Sequence, residues 1–293
     1  MIRMTKGEKT FNLLNIFFML LFTVIIILPF WSVMINSVRE ASMIARRGFV
    51  FLPEDITIEN YKFFFVNSSR LLWGYRSTII ITVMGTFLNL LFTSMMAYPL
   101  SKKYLPGRTG IIVIVLITMF FSGGLIPYYV LVIKLGLKDS WFALILPGLI
   151  SAWNMLLMRN FYSQVPDSLE ESALIEGASD AQVLFRVVIP LSLPAMATIG
   201  LFYAVDHWNS WFSALLFIDT VEKRPLQMQL RTIIFNLVSI RDLAGGRADV
   251  RPSVSEHGLR ASAIILSILP ILFVYPFIQK YFVKGLFIGS LKG

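Results

Sequence analysis

The residue types that usually carry covalent chemistry are scarce in this chain. Cysteine is absent and there are two histidines, His207 and His257. That leaves no thiolate nucleophile, disulfide framework or cysteine-bound metal, and gives a Ser-His-Asp hydrolase little to work with. Polar chemistry gathers instead around Asp206, the single Asp, Glu, Lys or Arg in the apolar stretch 187–218. An ionisable group in such a stretch is costly and faces a bundle interior or an aqueous cavity. In a helix, Tyr203, Asn209, Ser210 and Ser213 share a face with Asp206, flanked by His207, Trp208 and Trp211. Asn154, with Ser151, could contribute from a neighbouring helix. Hydrogen bonding to hydroxyls beside aromatic faces is the chemistry that holds a sugar. An equally weighted reading pairs Asp206 with a basic group of another chain and puts the tryptophans in an interfacial belt.

The elements that must position these residues follow from where charge is missing. The chain has 293 residues, 56% hydrophobic and 15% charged, with a mean hydropathy of +0.73. Charge-free gaps run over 10–38, 77–101, 109–133, 140–158 and 261–279, and 187–218 is broken only by Asp206. About 20 apolar residues cross a bilayer core of roughly 30 Å, so the sequence predicts an all-α integral membrane protein with six transmembrane helices. The expected spans are 11–38, 77–101, 109–133, 140–158, 195–218 and 261–283. Between them lie an N-terminal tail 1–10, outer segments 39–76 and 219–260, a loop 159–194 and a C-terminal tail 284–293. Six such spans make membrane lipid the implied partner and exclude a nucleic-acid reading of the net charge of +9. The first apolar run is too long for a cleaved secretory signal.

Prolines at 29, 99, 127, 147 and 270, with Gly123-Gly124, interrupt the spans. Such residues need neighbouring helices to re-satisfy freed backbone groups, which argues for a packed bundle. Thr82, Thr86, Asn89 and Thr93 share one face of the second span. They serve either as hydrogen-bonding glue between helices or as a pore lining. The Lys and Arg balance across the membrane is nearly even. The clusters before the first span and at Lys102, Lys103 and Arg108 favour cytoplasmic termini. The segment 241–258 is too polar to bury a core of its own.

The loop 159–194 is the most structured of the polar segments. Ser168 with Glu171, and Ser179 with Gln182, have capping-box spacing. Gly177 suits a left-handed helix stop, and Pro190 is expected to limit the second helix. Five acids, Asp167, Glu170, Glu171, Glu176 and Asp180, decorate the resulting pair of short helices. A rigid knob of this kind suits being gripped by a partner.

This loop resembles the signature of ATP-binding-cassette importer permeases: Glu-Ala-Ala, three residues, Gly, nine residues, Ile-x-Leu-Pro. Here it reads Glu171-Ser172-Ala173, Gly177, then Val187, Ile189 and Pro190. Ser172, Val187 and Ile189 depart mildly from the pattern. The run from Tyr275 to Gly285, the ending Gly289 to Gly293, Trp208 to Phe212 and Pro225-Leu226-Gln227 resemble the carbohydrate-uptake branch. Within that branch they are similar to the second permease subunit of oligosaccharide importers. The resemblance covers roughly 11–293.

What the resemblance implies is a type I importer permease fold with cytoplasmic coupling helices, in a bacterial cytoplasmic (inner) membrane. The implied partners are a second permease subunit, two ATPase subunits, an extracytoplasmic substrate-binding protein and a saccharide. The implied docking surface for an ATPase comprises Glu170, Glu171, Ser172, Ala173, Glu176, Gly177, Ala178, Ile189 and Pro190. The tail from Gly285 to Gly293 could reach toward the ATPases. No G-x-x-x-x-G-K-[ST] loop occurs in the chain, so ATP and Mg are expected on the partner ATPase, with no cofactor or metal here. Two other classes remain open from the residues: a membrane-embedded glycosyl or lipid transferase, and a stand-alone carrier. The first would need more intramembrane acids or bases than Asp206 and His207; the second would not need the acidic loop. The outer segments 39–76 and 219–260, together with the short 134–139 between the third and fourth spans, carry fifteen basic against ten acidic residues, which suits anionic saccharides or ordinary loop electrostatics alike.

Overall fold

A computed structural model describes residues 6–40, 48, 50–53, 55–66, 70–243 and 255–290. Most of the polar segment 241–258, and the ends of both tails at 1–5 and 291–293, lie outside the described residues. The described part is helical, with a single isolated bridge between Arg39 and Ile56. In order the helices are α1 Lys6–Ser37, α2 Glu59–Val66, α3 Arg70–Ser101, α4 Arg108–Phe120, α5 Leu125–Lys134, α6 Phe142–Ile145 and α7 Ala152–Tyr162. There follow α8 Asp167–Ile175, α9 Asp180–Leu191, α10 Leu193–Trp208, α11 Phe212–Phe217, α12 Leu226–Leu243 and α13 Glu256–Ser290.

Three helices, α1, α3 and α13, are long and apolar enough to cross a membrane alone. Three bent pairs bring the number to six if each is one span: α4 with α5 at 112°, Phe142–Gly148 with α7 at 54°, and α9 with α10 at 88°. The expected span 109–133 is therefore two helices. Gly124, with φ +85°, permits the sharp corner between them. At about 20 Å, α4 alone falls short of a bilayer core of roughly 30 Å. The expected span 195–218 is likewise divided, because α10 ends at Trp208 and α11 begins at Phe212. Helix α3 starts seven residues before its expected boundary of 77, since charged residues can join a helix without joining the apolar stretch. The expected tail 284–293 continues α13 as far as Ser290.

The chain forms two compact units, Met1–Ser69 with Leu230–Pro270, and Arg70–Gln229 with Ile271–Gly293. In the first, α1 carries apolar side chains on every face, and none of its most apolar window is buried within the chain. A helix apolar all round belongs in lipid or against another apolar surface. Asn60, fully buried, ties α2 to the end of α1 by donating to the Ser37 and Arg39 carbonyls at 3.1 and 3.2 Å.

In the second unit α3 is the central helix, packed against α7 and α10. Ala97, Met155, Met158, Tyr162, Val188 and Ile199 are fully buried in the main core. A smaller core gathers Ile81, Ile145, Ala214 and Ile218. At one end, Asp139 clasps the loop after α11. Its Oδ1 accepts from the Asp219 and Thr220 amides at 3.0 and 2.9 Å, and its Oδ2 accepts from Lys223 Nζ at 2.9 Å. Desolvation by its surroundings opposes ionisation of Asp139, but the Thr220 hydroxyl and amide and the Lys223 ammonium outweigh it. They hold the carboxyl well below its ordinary value.

Candidate functional site

Helices α8 and α9 form the knob that the acidic loop predicts. Helix α8 ends in a Schellman motif: the Gly177 amide donates to the Leu174 carbonyl and the Ala178 amide to the Ala173 carbonyl, both at 3.0 Å. The motif requires a left-handed residue, and Gly177 supplies it at φ +88°, with open space where a Cβ would stand. Ser179 caps α9 through a reciprocal box, its amide donating to Gln182 Oε1 at 2.8 Å. The first expected box is absent. Pro166 is the N-cap of α8, and Ser168 sits inside the first turn, where its carbonyl accepts from the Ser172 hydroxyl at 2.8 Å. Proline preceding Asp167 starts the helix earlier than Ser168 can cap it.

Pro190 does not stop α9. The helix widens into a π turn over Leu184–Val188 and runs on through Pro190 to Leu191. Widening makes room for a ring that would otherwise press on the carbonyl four residues back. The chain then turns by 88° at Ser192 into α10.

The two faces of the knob differ. Glu171, Ser172, Glu176, Gly177 and Pro190 are exposed, while Ala173, Ala178 and Ile189 pack partly against the main core. Ile175, 87% exposed, stands at the tip among the acids. An apolar side chain so placed is what a partner's cleft would cover. Glu170 departs from the expected exposed set: it is buried and faces inward. It forms an ion pair with Lys102 and accepts from the Tyr98 hydroxyl at 3.1 Å. Lys102 also lies 5.1 Å from the centre of the Tyr98 ring. Sequence inspection missed Lys102 and Tyr98, because nothing local links the end of α3 to a residue in α8.

The residues expected along one intramembrane stripe do not stay together. Tyr203 is buried, shares a hydrogen bond with Thr93 at 2.8 Å and accepts from the Ser151 amide at 3.0 Å. Asn154 and Trp208 are also buried. Asp206, Asn209 and Trp211 are exposed on this chain. Asn209 is the C-cap of α10, so Asn209, Ser210 and Trp211 follow the helix rather than line it. Ser210 donates back to the His207 carbonyl at 2.8 Å, and Asn209 to Val205 at 2.9 Å.

Asn89 and Thr93 are fully buried and join helices, which is the glue reading of that polar line. Asn89 donates to the Gly148 and Leu149 carbonyls at 2.7 and 2.9 Å and pairs with His207 Nε2 at 2.7 Å. Gly85 makes room for that imidazole, since a Cβ there would stand 2.5 Å from His207 Nε2. The hydroxyl oxygens of Thr86 and Thr82, one and two turns before Asn89, are buried without a partner among the described residues.

Comparison with known proteins places this geometry. Residues 109–288 match the family model described as binding-protein-dependent transport system inner membrane component. Protein LplC of Bacillus subtilis (strain 168) is 42% identical, the alignment covering 99% of this chain and 97% of that protein. The polygalacturonan/rhamnogalacturonan transport system permease protein YtcP of the same organism is 39% identical, covering 98% and 99%. The crystal structure of a bacterial ABC transporter involved in the import of the acidic polysaccharide alginate contains a similar chain. It aligns with a TM-score of 0.85 at 33% identity, covering 96% of this chain and all of that one.

Proposed function

The chain belongs to the family of binding-protein-dependent transport system inner membrane components, it is an importer permease and not an enzyme, and we propose that its cargo is an oligosaccharide bearing uronate groups. What carries the cargo reading is likeness along nearly the whole chain to a polygalacturonan/rhamnogalacturonan permease and to an importer of the acidic polysaccharide alginate. The excess of basic residues in the outer segments supports it. The transferase reading falls with family membership, and so does the stand-alone carrier.

In the proposed mechanism the exposed face of α8 and α9 docks into one of two ATPase subunits, which bind ATP and Mg. Both termini are cytoplasmic, and the protein sits in the inner membrane beside a second permease. A substrate-binding protein delivers cargo from the other side. The knob can pass on a push because it is rigid. A Schellman stop and a capping box fix its corner, the Glu170–Lys102 pair ties α8 to α3, and Ala173 and Ala178 seat it on the core. Asp206, Asn209 and Trp211 are proposed to face the sugar path, with Asn154, Tyr203, Trp208 and Ser210 behind them. Asp206 would accept from sugar hydroxyls and repel a cargo carboxylate, so it favours one orientation of a charged oligomer.

The test is ATP hydrolysis by the whole importer in liposomes, stimulated by loaded binding protein across a glycan panel. Galacturonate oligomers are expected to stimulate, and neutral arabino- or malto-oligosaccharides are not. Stimulation by neutral oligomers alone would overturn the cargo assignment and leave the permease assignment intact.

A further inference from the structure

Two arginines at the knob end of the membrane-spanning bundle converge on one acceptor. Arg108, the first residue of α4, and Arg159, near the end of α7, both donate through Nε to the Leu100 carbonyl, at 2.8 and 3.0 Å. Their Nε atoms cannot be further apart than the sum of those distances. Leu100 lies in the last turn of α3, where carbonyls lack intrahelical donors, so one guanidinium would suffice to cap it. The second is surplus to that task.

Neither arginine forms an ion pair among the described residues, and the shared Leu100 carbonyl holds two like charges side by side. Arg159 Nη1 reaches Asn160 at a long 3.4 Å, and the Nη groups of Arg108 have no acceptor among the described residues. Both side chains are half-buried. Two partly desolvated cations held together repel each other until an anion arrives, and their Nη donors remain available to bind one.

What lies beside the pair indicates which anion. Helix α4 buries only Val115 and exposes Ile111 and Ile114 directly after Arg108, on one face. A phosphate seated on the guanidiniums would have an apolar track running from it into the membrane. We propose that Arg108 and Arg159 bind the phosphate of an anionic phospholipid in the leaflet on the knob side, its acyl chain lying along Ile111 and Ile114. Basic pockets between transmembrane helices hold lipid headgroups by this chemistry. The lipid would neutralise the pair where α3, α4 and α7 meet.

The experiment uses the purified importer complex in detergent, titrated with dioleoyl-phosphatidylglycerol and read by native mass spectrometry and thermal unfolding. Two favourable charges at the surface predict binding roughly thirtyfold weaker in the Arg108→Gln/Arg159→Gln variant. The Arg108→Lys/Arg159→Lys variant, which keeps charge and loses the fork, should fall between. Equal retention by wild type and both variants would overturn the proposal and leave the arginines as helix caps. The wild type alone also decides the question should the variants not assemble: no preference for phosphatidylglycerol over phosphatidylcholine sinks it. Displacement of the lipid by millimolar inorganic phosphate would reassign the site to a free anion.

Discussion

Lys102, one residue past α3, and Glu170, in the first turn and a half of α8, form an ion pair whose side chains are 8% and 7% exposed. The pair turns a surface loop into an extension of the central helix. Removing one partner strands a buried charge, at a cost of about 3–5 kcal/mol. Lys102→Met alone should therefore lower the unfolding temperature of the detergent-solubilised complex sharply. Lys102→Met with Glu170→Leu should recover most of it, because no charge is stranded and only the neutral Tyr98 hydroxyl loses its acceptor. A double variant as unstable as the single one would show that the contact, not the charge balance, is at stake.

The Gly85–His207 approach predicts a second stability effect. Gly85→Ala pushes a methyl into the imidazole and should displace it from Asn89. Overpacking of this kind costs about 1–3 kcal/mol. Gly148→Ala, which meets nothing within 4 Å, is the control. Equal unfolding temperatures for the two variants would contradict the packing of α10 on α3.

The Asp139 clasp predicts a pH dependence. Its carboxyl ionises well below the ordinary 3.8, so the group binds fewer protons folded than unfolded across that range. The stabilisation is present above about pH 4 and is lost as pH falls toward the folded value. The unfolding free-energy gap between wild type and Asp139→Asn should be flat from neutral pH down to about pH 5 and shrink below about pH 4. A gap that widens on acidification would contradict the bonding seen at Thr220 and Lys223.

Helical class, six apolar stretches and the Gly177 corner were legible because each rests on a local pattern. The Schellman stop needs only a glycine at the right step, and charge gaps register burial in lipid directly. The inward turn of Glu170 was not legible. Glu170 and Glu171 are adjacent acids with the same propensity, and only the helix phase set by Pro166 sends one to Lys102 and the other to water. The Asp206 stripe failed for a related reason. Apolarity persists past Trp208, so composition hides the break at Asn209 that separates α10 from α11. The bend between α4 and α5 was visible only as Gly123-Gly124, which marks a corner and not its angle.

The central claim is that the exposed face of α8 and α9 is where a separate ATPase grips this permease. Ile175→Glu tests it most directly, because Ile175 is 87% exposed at the tip of that face and its replacement leaves the left-handed Gly177 corner intact. Co-purification of the ATPase subunits with the tagged permease, beside sugar uptake in liposomes, is the measurement. The account predicts normal membrane insertion, loss of bound ATPase or of its stimulation by binding protein, and no uptake. Full uptake with the ATPase still bound would contradict it.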